Sequence, residues 1–405
     1  MPVGLFFRRK RMGAKKTRGG MMRKLSILSI SLLILGPQAI SSSMAVMINA
    51  FPDVPVGTVR LLISLPLITL VMFTLITAAI DRKFNRKWIA CSGILIFTIF
   101  GTLCAFTDSF AVLVIFRLLM GAGLGMTAAY GVSFISMVYE GEERTKLIGL
   151  QSSATNIGSL ILMTAAGILA SVSWHKAFYI YLIGLPVLLL VIFFVPSFPP
   201  DEAGTRTHEK SSLNKKVWRA CIGTFAFFIL FFVVFSDFAI LVYKGELGED
   251  KQAGMGLTML SAFALVTSVF YQKIAHILKG LVVPAGVGFT CAGFLTAGLA
   301  CTLAAADLGA VLIGIGFGII MPHCYSYAAM NTLPGSAQGK AAAAITFATN
   351  IASFCSSYVL NAVLGLIGTN PAENSVFIAI GIIFAAGAVL TLSRYFLCHR
   401  SHGML

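Results

Sequence analysis

The sequence is 405 residues long, 58% hydrophobic and only 11% charged, with a mean hydropathy of +0.90. A soluble domain needs roughly 25% charged residues to hydrate its surface, so most of this chain's surface must face hydrocarbon. The formal net charge of +15 does not indicate nucleic acid, because beyond the first 22 residues the basic residues are spread over short connectors, without the basic patch interleaved with aromatics on a soluble face that such binding uses.

In chain order the first feature is a basic arm, 1–22, carrying Arg8, Arg9, Lys10, Arg11, Lys15, Lys16 and Arg18. An arm of this kind before an apolar run is similar to a secretory signal, but the run is as long as a full span and eleven more follow. Met21 and Met22 open a sequence that can itself start a protein. The arm is therefore expected to be either a start-site artefact or a topology determinant at an anionic inner leaflet. Apolar stretches long enough to cross about 30 Å of hydrocarbon as helices lie at 24–48, 56–79, 88–107, 109–138, 146–171, 177–195, 217–243, 253–272, 281–304, 308–330, 341–366 and 374–396. Transmembrane β-strands would be about ten residues of alternating polarity, a pattern not seen here.

Lys and Arg gather on the side that holds both termini; the exceptions are Arg60, Lys176, Lys244 and Lys251 in the opposite loops and Arg117 inside a span. Short loops rich in these residues stay cytoplasmic, so both termini are expected in the cytoplasm and the number of spans even. The cysteines, at 91, 104, 221, 291, 301, 324, 355 and 398, form no C-x-x-C pair and mostly fall within spans, where Cys packs as a small hydrophobe. Neither a disulfide framework nor a metal site is indicated.

The chain carries an internal duplication. Ala154-Thr-Asn-Ile-Gly-Ser159 returns 194 positions later as Ala348-Thr-Asn-Ile-Ala-Ser353, and the same shift carries the start of the first span onto that of the seventh and Lys146 onto Lys340. This predicts an all-α polytopic membrane protein of twelve helices in two pseudo-symmetric six-helix bundles, 23–195 and 217–396. They are joined by a Pro-, Gly- and charge-rich linker at 196–216 and followed by a tail at 397–405.

The first span offers Gln38, Ser41, Ser42, Ser43 and Asn49 as polar groups. Between the second and third spans stands Thr77-Ala-Ala-Ile-Asp81-Arg82-Lys-Phe84-Asn-Arg86-Lys87. This resembles the loop signature of the major facilitator superfamily, Gly-x-x-x-Asp-Arg-x-Gly-Arg-Arg/Lys, matching at Asp81, Arg82, Arg86 and Lys87, with Thr77 and Phe84 where the family has glycines. The resemblance implies that Asp81 caps a neighbouring helix, favoured there by the dipole, and pairs across the cytoplasmic interface to gate the conformational change. Ordinary positive-inside charges are the alternative.

In the fourth span Arg117-Leu-Leu-Met-Gly121-Ala-Gly123-Leu-Gly125 is similar to a second family motif, Arg-x-x-Gln-Gly-x-Gly, with Met120 replacing Gln. Arg117 lies about 13 Å deep, counting from Asp108 at 1.5 Å per residue, where a guanidinium costs a few kcal/mol. It either serves coupling or anion binding, as in family members, or bonds backbone carbonyls structurally. The three glycines permit close helix packing. Gly149, Gly158 and Gly167 in the fifth span fit part of the family's antiporter motif, whose central Gly-Pro is replaced by Leu162 and Met163.

Of the acids, Asp237 is the one placed inside a span, near its outer boundary, and is the candidate proton site. His323, after Met321-Pro322 in the tenth span, is either a protonatable coupling group or an interhelical hydrogen bonder. Asn156 and Asn350 are related by the 194-residue shift and suit cavity-lining or interface roles.

The resemblance covers the chain beyond residue 22. It implies a secondary active transporter, not an enzyme, that moves a small organic solute across the plasma membrane by alternating access, similar to bacterial exporters of drugs or sugars. A proton or other ion would supply the energy, and no cofactor is called for, since no Gly-x-x-x-x-Gly-Lys-Ser/Thr nucleotide loop is present. The partners are then solute, coupling ion and bilayer, with a monomer expected. Proton-coupled uptake of an organic anion or nutrient, with Arg117 as anion ligand, is the alternative. A membrane-embedded enzyme or a sensor without turnover is more remote, because the loops are too short to assemble clustered acids, His or nucleophiles.

Overall fold

The computed structural model describes residues 20–80, 83–139, 141–198, 214–248, 250–332, 336–367 and 373–402. Most of the basic arm, Asp81 and Arg82, and linker residues 199–213 lie outside the described residues. Among those described, every regular element is helical. The N-terminal half contains α1 (Gly20–Ser29), α2 (Met44–Ala50), α3 (Val56–Ile80), α4 (Arg86–Leu103), α5 (Phe110–Val138), α6 (Gly141–Ala170), α7 (Trp174–Ala177) and α8 (Gly184–Phe194). In the C-terminal half are α9 (Lys215–Phe231), α10 (Val233–Lys244), α11 (Asp250–Val269), α12 (Tyr271–Leu278), α13 (Val282–Gly298), α14 (Leu303–Met330), α15 (Ser336–Ile367) and α16 (Glu373–His402).

Among the described residues nine helical segments are long and apolar enough to cross a bilayer, and the bent pair Gly20–Leu33 and Gly36–Ala50 makes a tenth. The remaining two of the twelve segments, α6 and α15, carry only the shorter apolar stretches Ala154–Ala170 and Ala344–Ser356. They are the fifth and eleventh spans, equivalent under the 194-residue shift. Asn156 and Ser159 of α6 and Thr349, Ser353 and Ser356 of α15 are buried, and α6 packs on α11 and α15 on α3, across the two halves. A polar group on a lipid-facing helix would have no such shelter.

The first span is not the continuous helix that 24–48 suggests. It bends by 50° between Leu33 and Gly36 and runs as 3-10 helix over Gly36–Ser43. Pro37 supplies no amide hydrogen. The hydroxyls of Ser42 and Ser43 donate to the carbonyls three residues back, Ala39 at 3.3 Å and Ile40 at 2.8 Å, and Ser41 does the same to Gln38. The seventh span, Lys215–Tyr243, has no such bend; it tightens locally at Phe232, whose carbonyl accepts from the Phe235 amide at 3.1 Å, between α9 and α10.

Two charge placements are corrected. Arg60 is not a loop residue: it sits on the second turn of α3, 3% exposed, because an acid across the interface receives it. The tenth span begins at Leu303 instead of 308, which brings Asp307 into the helix beside Gly256 and Phe238. Asp237 is therefore not the only acid in a span.

Small residues set the closest helix approaches. A Cβ at Gly121 would collide with the Pro66 carbonyl, and one at Gly158 with the Leu32 carbonyl. Gly123 abuts Phe97 of α4, and Gly125 abuts Leu70 of α3. Between the halves, Gly167 faces Gly254 so closely that a Cβ on either would lie 3.0 Å from the other's Cα. Gly149 lies on α6, but its surroundings fall outside the described residues. Gly121→Ala is expected to destabilise by about 1–3 kcal/mol through overpacking. Gly223→Ala, where nothing lies within 4 Å, is expected to be neutral or slightly stabilising. Thermal unfolding of the purified protein in detergent compares the two.

Candidate functional site

Arg117 is fully buried on α5. Its Nε donates to the Leu62 carbonyl at 2.7 Å, Nη2 to the Pro37 carbonyl at 2.8 Å, and Nη1 to the Tyr181 hydroxyl at 2.8 Å. Tyr181 passes the chain on by donating to the Gly36 carbonyl at 3.0 Å. Each acceptor has a local cause. Pro66 lies four residues after Leu62 and has no N–H to return, so the Leu62 carbonyl lacks its helical donor. Gly36 and Pro37 stand at the break of the first span. The guanidinium thus satisfies backbone groups that hydrocarbon cannot, and it ties four spans together.

A second buried cation lies nearby on α3. Arg60 Nη2 is 2.5 Å from Asp237 Oδ1, with side-chain exposures of 4% and 2%. The pair joins the two halves, α3 to α10, at the end of the bundle that carries the 51–55 turn. Counting from Lys244, Asp237 is about 10 Å from that end of its helix.

Further from that end the halves meet through hydroxyls. Ser159 and Ser261 are 3.1 Å apart, and Thr164 and Thr258 are 2.7 Å apart, each linking α6 to α11. Beside Ser159 lies a cavity of about 20 Å³. Asn156, Ser159 and Ser261 give it one polar side, and Phe231, Phe235 and Phe317 give it an aromatic wall. Phe231 and Phe317 stack with ring centroids 5.0 Å apart and planes 23° from parallel. A larger groove of about 250 Å³ between α4 and α8 presents only apolar surface, through Ile99, Leu103, Leu182 and Leu185 among others.

The remaining sequence candidates scatter. Gln38 is 2% exposed in the 3-10 segment, and its Oε1 accepts no hydrogen bond from the described residues. Asn350 is half-buried on α15, away from the cavity lining. His323 Nδ1 is 3.1 Å from the Tyr271 hydroxyl. It stands sixteen residues, about 24 Å, along α14 from Asp307, whereas Asp307 and Phe238, the residue after Asp237, share the Gly256 contact. His323 and Asp237 therefore belong to opposite ends.

The profile of the Major Facilitator Superfamily matches residues 26–357. The chain belongs to that superfamily. The multidrug efflux pump SdrM of Staphylococcus aureus is 28% identical over 203 residues, which cover 48% of this chain and 44% of that protein. The probable 4-methylmuconolactone transporter of Cupriavidus pinatubonensis is 25% identical over 199 residues, covering 47% of this chain and 46% of the other. The chain spans less than half the length of these curated relatives. A D-xylose–proton symporter superposes with a TM-score of 0.71 at 17% identity, covering 92% of this chain and 97% of the other; that likeness concerns the fold alone.

In the superfamily's loop signature, Asp81 and Arg82 lie outside the described residues. The described part is held within its own half. Asn85 caps α4 by accepting from the Lys87 amide at 3.0 Å, and its own amide donates to Ser197 at 2.9 Å. Lys87 Nζ donates to the Ile192 carbonyl at 2.7 Å, a cation at the C-terminus of α8. Arg86 is 6% exposed, with Nη1 3.6 Å from Met137 Sδ.

Sequence reasoning missed Arg60, Tyr181, Ser159 and Ser261 as parts of these sites. Arg60 had a signal, since it falls inside the apolar stretch 56–79. Tyr181 had none, because only the fold brings it to Arg117. Arg117→Met is expected to cost at least about 2 kcal/mol by orphaning buried acceptors. Arg117→Lys, which keeps the charge but loses the planar fork, should fall between it and the parent in thermal midpoint.

Proposed function

We propose that the chain is a secondary active transporter that moves a small organic solute by alternating access, exporting it in exchange for protons, with Asp237 as the coupling acid and Arg60 as its latch. The buried Arg60–Asp237 pair carries this reading. It crosses between the halves at one end of the bundle, and the bias of Lys and Arg toward the other end makes this the outer side. Paired, the two charges stabilise a closed outer end. A proton arriving from outside neutralises Asp237 and leaves the Arg60 guanidinium buried without a counter-charge, a loss of about 3–5 kcal/mol when one partner is removed. Parting the halves lets water reach Arg60 and offsets that loss. Proton binding therefore favours the outward-open state, the differential binding that coupling requires; when the outer end closes again Arg60 displaces the proton from Asp237, and export is driven when that proton leaves to the cytoplasm.

The relatives' names support this reading by analogy: one is an efflux pump, and another is a probable transporter of a small organic lactone. Uptake of an organic anion on Arg117 gains no comparable support, because that guanidinium is enclosed by carbonyls and Tyr181.

Substrates are to be found from a growth or toxicity screen of a deletion strain and then followed in proteoliposomes. Asp237→Asn is expected to abolish gradient-driven transport while sparing counterflow exchange; loss of both activities, or of neither, removes Asp237 as the coupling acid. Arg60→Asp combined with Asp237→Arg is expected to recover outer-end closure in cross-linking assays. Flux under imposed pH gradients of either sign distinguishes export from uptake.

A further inference from the structure

We infer that the cavity between Asn156 and Phe317 is the solute site, and that it is built for an uncharged planar aromatic molecule with one or two hydrogen-bonding atoms. The inference rests on the transporter reading above and names the substrate class it leaves open.

Five observations carry it. The lining comes from both halves, α6 on one side and α9, α10, α11 and α14 on the other, so any relative motion of the halves changes its volume. Asn156 is 8% exposed and lines the cavity. Ser159 lies three positions along α6, on the same face, and its hydroxyl is held across the interface by Ser261 at 3.1 Å. Aromatic rings make up much of the rest of the lining, with the Phe231–Phe317 stack and Phe235 5.9 Å from Phe231. No titratable side chain lines the cavity among the described residues; Arg117 and Asp237 are each engaged elsewhere.

Chemistry selects the ligand. A charge placed here would be desolvated with no counter-charge, which neutral amides and hydroxyls cannot offset. A sugar would bring more hydroxyls than three polar side chains can satisfy. A flat ring can join the phenylalanine stack in the offset geometry that aromatic pairs favour, while one polar edge engages Asn156 and the serine pair. At about 20 Å³ the cavity holds one water, whereas drug-sized sites run to roughly 300–1,000 Å³. The site therefore forms only as the halves part, and the solute replaces the Ser159–Ser261 hydrogen bond.

Saturation-transfer NMR on the full chain in lipid nanodiscs, with empty nanodiscs as blank, tests this with three probes of matched size: coumarin, 1-methylquinolinium and quinoline-2-carboxylate. Coumarin is expected to saturate while the two ions do not. Asn156→Leu and Phe317→Ala are each expected to weaken it about tenfold. Asn156→Asp is expected to admit 1-methylquinolinium, a gain that misfolding cannot produce. Binding of either ion to the parent as tightly as coumarin, or indifference to all three substitutions, overturns the assignment. If coumarin binds as described but no solute is carried by any ion gradient, the transporter reading fails and the site stands; gradient-driven flux of an ion indifferent to Asn156 leaves transport standing and removes the site.

Discussion

A peptide carbonyl without a donor is tolerable in water and costly in hydrocarbon, and the N-terminal half is organised around two such groups. Pro66 deprives Leu62 of its helical partner, and the Gly36-Pro37 break turns backbone toward the bundle interior. Arg117 answers both from α5, with Tyr181 completing the set. Five donors in a rigid fork suit this task, and burial that would be prohibitive for a lone cation is stable here because the acceptors are fixed. The close approach of α5 to α3 depends on the same region, since the Pro66 carbonyl lies where a Gly121 side chain would be.

That clamp fixes more than the first span. Arg60 is only two residues from Leu62 on α3, so anchoring Leu62 sets where Arg60 meets the other half. The 194-residue shift maps Arg60 onto Gly254 and Asp237 onto Ser43. The equivalents do not pair in the same way: Gly254 on α11 is crowded by Ser42 and Gly167, while the Ser43 hydroxyl donates to the Ile40 carbonyl within its own span. One side of this end of the bundle is closed by charge and the other by the absence of side chains. The break of the first span lies at the level of the cavity, which Leu35 helps to line.

What could be read from sequence follows from how local each signal is. Apolar length, the placement of Lys and Arg, and the repeat at 154–159 and 348–353 are properties of segments, and they yielded twelve helices in two halves. Arg117 stood out by itself, because a guanidinium deep in a span always needs an explanation. Its partners did not stand out: Leu62 and Pro37 contribute backbone, which no residue type marks, and Tyr181 is an ordinary aromatic 64 positions away. Asp237 was conspicuous as an acid among phenylalanines, whereas Arg60, near a span boundary, was read as a loop charge. Asp307 escaped for the same reason, a boundary misplaced by five residues. Asn156 and Asn350 were indistinguishable as a repeat pair until packing sent one to the cavity and the other away.

The sequence by itself determined that this chain is an all-helical protein of the bilayer, because hydrophobic length is written along the chain, and it raised the expectation of twelve crossings in two related halves. Only the tertiary structure decided which charges meet, which carbonyls are orphaned and which polar residues face one another between the halves. Those depend on helix rotation and on breaks of a single residue, which move a side chain from one neighbour to another without changing the composition of any span.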